Sequence, residues 1–126
     1  MMFPVEIKQT ENRGRGVFAT KDFIAGEIIE ICPVLILNEQ EAKNYENTIL
    51  GNYLYEWESE EDGAIILGYG LIYNHSYTPN AEYIRNFPDK TMTYQAVKDI
   101  KKGEEILINY NGHPTCDDPI DWFEVK

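Results

Sequence analysis

The sequence predicts a mostly β fold in a single domain over residues 1–126, on three observations. Short runs rich in β-branched and aromatic residues recur between Gly, Pro, Asn and Asp. Only one stretch has a convincing helix signal, and one turn-containing segment occurs twice. A chain of this length can bury roughly two-thirds of its unfolded surface, so it needs no disulfide or metal to fold.

The elements follow from these signals in chain order. Residues 38–45 predict a helix, because Asn38 can cap it and Glu41 occupies the third helical position, as in a capping box. The predicted strands cover residues 5–8, 16–19, 27–31, 34–37, 65–67, 91–97 and 105–110.

An internal echo joins residues 21–29 and 98–106, which share Lys, Asp, Gly, Glu and a final Ile. Gly26 and Gly103 would occupy turn positions with positive φ, and a strand would resume after each. Two copies are too few for a repeat array. The echo therefore predicts two similar β-corners related by pseudo-symmetry.

The charge is strongly acidic and unevenly spread, at a net −11. Residues 38–63 hold eight acidic side chains and one Lys, and residues 111–126 hold four and one Lys. An acidic chain argues against direct binding to nucleic acid or to an anionic membrane. Solvated loops explain either segment alone, whereas two segments beside one pocket would favour a basic substrate.

The remaining bulk features concern location, the cysteines and metal binding. No apolar run reaches membrane-spanning length and no signal peptide is evident, which predicts a cytoplasmic protein. Cys32 reads as a buried thiol. His113 and Cys116 could form half a metal site, but no second pair stands at ligand spacing, so no metal is expected.

Three motifs carry candidate chemistry. Gly14-Arg15-Gly16 lets the backbone approach a ligand or a crossing chain, although no third glycine follows to make a dinucleotide fingerprint. Asn74-His75-Ser76, with Pro79-Asn80, supplies polar groups and a turn. The third motif, residues 103–110, is an apolar strand that ends in Tyr110. Such segments could together form one small-ligand site.

In order and spacing these residues resemble the SET-domain family of protein lysine methyltransferases, over nearly the whole chain. Gly14-Arg15-Gly16 is similar to the family's G-x-G, residues 74–80 match its N-H-S-x-x-P-N, and residues 103–110 match its G-E-E-[LI] strand with the catalytic Tyr. The type resembled is the compact viral or bacterial one, which lacks zinc-binding cysteines after the domain.

The resemblance implies a β-clip of several small sheets with a pseudoknot, and one or two short helices in an insert near residues 38–63. It implies S-adenosylmethionine as methyl donor and Tyr110 as the catalytic residue. Gly14, Arg15 and Gly16 would lie near the donor's methionine end, and Asn74 and His75 near its adenosine. Residues 111–126 would form a C-terminal lid.

The resemblance implies that Tyr53, Tyr73 and Ile108 line the substrate channel. The sequence departs from the family pattern just before Asn74 and at Ile108. Tyr73 precedes the Asn-His-Ser motif, and Ile108 stands where the family often has an aromatic residue. The alternate spacing of Tyr53, Tyr55 and Trp57 equally fits one face of a half-buried strand. Trp122 in the lid would cover the cofactor, although a dimer contact or ordinary packing would also explain it.

The implied activity is methyl transfer to lysine in a basic protein, such as a histone or histone-like protein. If the source were viral or a pathogen, a host nucleus would be the expected location. Whether the chain forms a homodimer that completes the substrate groove is a question that the sequence leaves open. The competing hypothesis is a catalytically silent β-clip module, similar to the SAF type, that binds a basic partner.

Overall fold

The computed structural model describes residues 3–59 and 61–110. The described residues form one α-helix, α1 (Glu39–Tyr45), and one 3₁₀ turn (Ile49–Asn52). No helix among them is long and apolar enough to cross a membrane. The strands are β1 (Val5–Gln9), β2 (Arg15–Ala19), β3 (Ile28–Leu37), β4 (Gly63–Ile66), β5 (Asn74–His75), β6 (Ala81–Asn86), β7 (Thr91–Ala96) and β8 (Glu105–Ile108).

Two four-stranded sheets carry the fold, with strand orders β1-β2-β8-β5 and β4-β3-β7-β6. In the first sheet, β2 is antiparallel to both β1 and β8, whereas β5 runs parallel to β8. The mostly β prediction is confirmed, and β5 lies directly beside the strand that leads to Tyr110. The pairing thus brings two distant motifs together.

Contacts divide the chain into two compact units, which are described separately. Among the described residues, the first contains 3–31, 72–84 and 93–110, and the second contains 32–59, 61–71 and 85–92. The core of the first unit includes the fully buried Val17, Phe23, Tyr94 and Ile106, all at most 1% exposed. Burial of such side chains supplies the main drive for folding.

The two echo segments pair with each other inside the first unit. Phe23 and Ile100 exchange both backbone hydrogen bonds, at 2.7 and 2.9 Å. Gly26 and Gly103 have φ of 92° and 91°, and their N–H groups donate to Ala96 and Ala19 respectively, both at 2.8 Å. A shift of 77 positions maps each bond onto its counterpart, so the predicted pseudo-symmetric corners are confirmed.

In the second unit, the helix forms as predicted. The Asn38 side chain accepts a 2.9 Å bond from the N–H of Glu41, and the Glu41 side chain accepts one of 3.0 Å from the N–H of Asn38. This capping box satisfies two N–H groups that a short helix would leave unpaired. None of the helix residues is buried, so this helix of the acidic insert faces solvent.

The strand predictions differ from the structure at three strands: β3 was predicted as two strands, and β6 and the two-residue β5 were not predicted. The predicted break near Cys32 and Pro33 does not occur, because the carbonyl of Pro33 still accepts the N–H of Leu67 at 3.0 Å and β3 continues. Proline removes a donor but leaves its acceptor. Strand β6 was missed, although buried Ala81 and Tyr83 alternate there with more exposed residues.

Candidate active site

Asn74 connects two other motifs of the sequence, residues 14–16 and residues 103–110. Its side-chain amide donates to the carbonyl of Arg15 at 3.0 Å and to a carboxylate oxygen of Glu105 at 2.7 Å. A Cβ added at Gly16 would lie 3.0 Å from that amide nitrogen and would overlap the Glu105 carboxylate. The second glycine therefore makes room for this contact between the side chains of Asn74 and Glu105.

The loop after β5 is tied back to β8 by Asn80. Its side chain donates to the carbonyl of Glu105 at 2.9 Å and accepts the N–H of Leu107 at 2.8 Å. Its backbone N–H bonds the carbonyl of Leu107 at 3.2 Å. One asparagine thus behaves like an extra strand residue and holds the loop at the sheet edge.

His75 connects the β5 segment to Tyr110. It is 4% exposed, and its Nδ1 accepts the backbone N–H of Tyr110 at 2.9 Å. The ring also lies edge-on to Tyr77, with centroids 4.5 Å apart. Burial first, and then the nearby Arg13 cation, lower the pKa of His75 below its ordinary value. The imidazole is therefore neutral near pH 7, with its proton on Nε2.

Tyr110 is held at three points, all by residues of the first unit. Besides the bond to His75, its carbonyl accepts the hydroxyl of Tyr83 at 3.2 Å. Its own hydroxyl donates to the backbone carbonyl of Tyr73 at 2.6 Å. A side chain fixed in this way can orient a reacting group without paying an ordering cost at the time of reaction.

A polar cluster of Arg13, Asn74 and Glu105 lies near Gly16. The Arg13 guanidinium is 3.7 Å from a carboxylate oxygen of Glu105, which also holds Asn74. A cation and an anion side by side suit a zwitterionic ligand end, with an ammonium near the carboxylate and a carboxylate near the guanidinium. Neither Arg13 nor Glu105 was predicted as a site residue from the sequence, although Glu105 belongs to the motif at residues 103–110.

The substrate-channel residues lie in different settings. Tyr73 is 1% exposed and its ring stacks on Tyr94, so its backbone carbonyl, not its ring, meets Tyr110. Ile108 is fully buried on β8. Tyr53 follows the 3₁₀ turn in the second unit and is 38% exposed. Their channel role stays a prediction, and Trp122, with the lid at 111–126, lies outside the described residues.

No metal centre emerges in the part of the chain that the structure describes. Within residues 3–59 and 61–110, no group of three His, Cys, Asp or Glu side chains is arranged to hold an ion. Cys116 and His113, the half site noted in the sequence, lie outside these ranges.

Comparisons with known proteins agree with this geometry. The family model for the SET domain matches residues 14–111, which include the three motifs and the strand to Tyr110. The chain therefore belongs to the SET domain family and is a protein-lysine methyltransferase.

Two curated relatives and one solved structure give the scale of the likeness. A Schizosaccharomyces pombe histone-lysine N-methyltransferase, specific for H3 lysine-37, is 35% identical over 96% of this chain and 78% of its own. A Xenopus laevis N-lysine methyltransferase is 26% identical over 84% of this chain but only 36% of its own length. A crystal structure from Plasmodium falciparum, whose name proposes a histone methyltransferase, has 34% identity and a TM-score of 0.69, covering 87% of this chain and 95% of that one.

Proposed function

We propose that this methyltransferase uses S-adenosylmethionine to methylate lysine side chains of a basic protein, with histones and histone-like proteins as the first class to test. The observation that carries the proposal is the three-point attachment of Tyr110 beside the β5 segment. An aligned hydroxyl at the meeting point of two motifs is what a displacement reaction needs from the protein.

The residues present fit the proposed methyl donor. Arg13 and Glu105 offer the opposite charges that a free amino-acid end requires, and Gly16 keeps that region clear of a side chain. Gly14 and Arg15 complete this end in the proposal; the side chain of Asn74, which the resemblance implies near the adenosine, bonds Arg15 and Glu105 and so reaches this end as well. At the other end, the β5 segment with His75, whose ring packs against Tyr77, would lie near the adenosine.

Bound there, S-adenosylmethionine supplies an electrophilic methyl group on a cationic sulfur. The chain then has to align the lysine amine and keep water out. Because the Tyr110 hydroxyl donates its proton to the Tyr73 carbonyl, its oxygen lone pairs are left to accept from the substrate amine. The Tyr73 carbonyl can also receive weak C–H contacts from a methyl group.

His75 holds Tyr110 and is not the base of the reaction. Its Nδ1 already accepts the N–H of Tyr110, and burial keeps its pKa low. A neighbouring cation in a desolvated site lowers the pKa of an incoming lysine, so the amine can lose its proton to solvent before it is enclosed. No dedicated base is required.

A basic substrate is favoured by the charge of residues 38–63, a net −7 from eight acidic side chains and one Lys. The helix of this insert carries Glu39 and Glu41 and buries none of its residues, so it presents charge to solvent. Exposed charge of one sign attracts an oppositely charged partner and raises its encounter rate. The Schizosaccharomyces pombe relative, named for a histone H3 lysine, points to the same substrate class.

The test is Tyr110→Phe, assayed by mass spectrometry on a panel of basic proteins and by calorimetry with S-adenosylmethionine. Turnover is expected to fall by about a hundredfold or more, because a preorganised hydroxyl contributes on that scale, while donor affinity stays near wild type. Tyr45→Phe, at a 41% exposed tyrosine of α1, is the matched control and should keep full activity. Equal turnover of the two variants would refute the role of Tyr110.

The alternative of a silent binding module is tested in the same titration. The family match and the methyltransferase relatives favour an enzyme over that module. Folded wild-type protein that fails to bind S-adenosylmethionine would instead support the module and overturn the proposal.

A further inference from the structure

Glu30 is a buried acid that the proposed reaction does not use. It is 2% exposed on β3, next to Ile29 at 0%, whereas Ile31 is 43% exposed. Successive strand residues normally face opposite sides, so two buried neighbours mark a change of phase in the strand. Burying a carboxylate costs several kcal/mol unless it gains partners, on the order of the desolvation penalty of an ion. The position therefore calls for a functional explanation.

Tyr73 forms a hydrogen bond with this carboxyl group. Its hydroxyl donates to Oε1 of Glu30 at 2.6 Å, a short hydrogen bond between two buried side chains. The Tyr73 ring also stacks on Tyr94, with centroids 4.3 Å apart and an interplanar angle of 21°. Both the tip and the face of this ring are thus engaged, and Tyr73 is 1% exposed.

The same residue sets the direction of the Tyr110 hydroxyl. The bonds from Tyr110 to His75 and Tyr83 involve its backbone N–H and carbonyl, so they fix where its Cα lies. The hydroxyl itself bonds the Tyr73 carbonyl at 2.6 Å. A shift of the Tyr73 backbone would therefore turn the hydroxyl while leaving the rest of Tyr110 in place.

We propose that Glu30 is a positioning residue for methyl transfer: through its bond to the Tyr73 hydroxyl, it holds the Tyr73 carbonyl where that carbonyl orients Tyr110. The inference rests on the catalytic role proposed for Tyr110. The Glu30–Tyr73 pair contributes to the orientation of Tyr110 rather than to stability. Apolar residues of similar volume often stabilise a core as well as a buried polar pair does.

The experiment separates positioning from folding with a double variant. Glu30→Leu with Tyr73→Phe removes both groups of the Tyr73–Glu30 hydrogen bond, so neither group leaves the other unpaired, and a thermal midpoint near wild type is expected. Calorimetry should give the wild-type donor affinity. Turnover per donor-binding site should fall about tenfold, because small misplacements of a reacting group cost rates on that scale.

Two single variants complete the design. Glu30→Gln keeps an acceptor for the Tyr73 hydroxyl, so its kcat should lie between those of wild type and the double variant, at unchanged substrate KM. It also keeps the test decisive if the double variant fails to fold. Glu6→Gln, the same change at an exposed carboxylate of β1, should leave kcat unchanged.

The outcomes distinguish this inference from the proposed function. If Tyr110→Phe is slow but Glu30→Gln and a folded double variant both turn over within about twofold of wild type, the positioning role is overturned and the role of Tyr110 stands. If the slow turnover disappears once corrected for the fraction of chains that bind donor, Glu30 is structural only. Wild-type turnover of Tyr110→Phe would remove the proposed role of Tyr110, and this inference with it.

Discussion

The backbone N–H of Tyr110 donates a 2.9 Å hydrogen bond to Nδ1 of His75, 35 residues earlier in the chain. The bond needs a neutral imidazole, because a protonated ring has two donors and no acceptor. Burial favours the neutral form by lowering the pKa of His75, and the Arg13 cation adds to the effect. The contact that joins two motifs is therefore sensitive to pH.

Stability and activity should both fall as the pH drops below about 6.5, the ordinary pKa of histidine. The pKa of His75 is lower in the folded state, so the unfolded chain takes up its proton first. The stability that neutral His75 contributes is complete above the unfolded pKa and is lost as the pH falls toward the folded one. Thermal midpoints measured between pH 7.5 and pH 5.5 would follow this loss.

His75→Asn is the control for that titration, because its side-chain oxygen can accept the Tyr110 N–H without titrating. The acid side of its stability profile should be flatter than that of wild type over the same range. Parallel profiles for the two proteins would assign the acid sensitivity to other groups.

Gly16→Ala should disturb the donor-binding end more than it disturbs the fold. The added methyl would lie 3.0 Å from the Asn74 amide nitrogen and would displace the Glu105 side chain, whose end can move. We expect a stability loss of about 1 kcal/mol, at the low end for overpacking, and weaker binding of S-adenosylmethionine by calorimetry.

Gly14→Ala is the comparison for this change. A methyl added at Gly14 meets nothing within 4 Å, but φ is 70°, so its cost is backbone strain of about 1 kcal/mol without displacement of Asn74. Its donor affinity should exceed that of Gly16→Ala. The reverse order would show that Gly16 is not the crowded position.

Asp22 and Asp99 occupy equivalent places in the two β-corners and support each other's turns. Oδ1 of Asp22 accepts the N–H of Lys102 at 2.8 Å, and Oδ1 of Asp99 accepts the N–H of Ala25 at 3.0 Å. Replacing either by Ala should lower the free energy of unfolding by about 0.5–1.5 kcal/mol, measured in urea. Asn at either position keeps an acceptor and should cost less; a large loss at only one corner would contradict their equivalence.

The acidic insert should act on substrate encounter rather than on chemistry. Glu58 and Glu61 are exposed, whereas Asp62 accepts the N–H groups of Trp57 and Glu58 and supports the local fold. Neutralising Glu58 and Glu61 to Gln should raise the KM for a basic peptide about two- to tenfold at low salt, with kcat unchanged. If wild type were insensitive to moderate salt, surface attraction would not explain the preference.

Local signals predicted the turns and the helix well. The capping box at Asn38 and the turn glycines at 26 and 103 each depend on residues within a few positions of one another. Strand β6 was missed because its start, Ala81 to Tyr83, carries only a brief alternation. A break was expected at Pro33 because proline has no N–H to donate. Its carbonyl still accepts a hydrogen bond from Leu67, so the strand continues.

The sequence by itself determined the class of protein, since the order and spacing of the Gly16, Asn74 and Tyr110 motifs already resemble the SET family. It also determined the two paired β-corners, because residues 21–29 and 98–106 carry the same turn signals. Only the tertiary structure decided what each site residue touches: that Glu105 holds Asn74, that the Tyr73 carbonyl and not its ring meets Tyr110, and that a buried Glu30 holds Tyr73. Side-chain partners many residues apart are selected by strand pairing and packing, which no local pattern encodes.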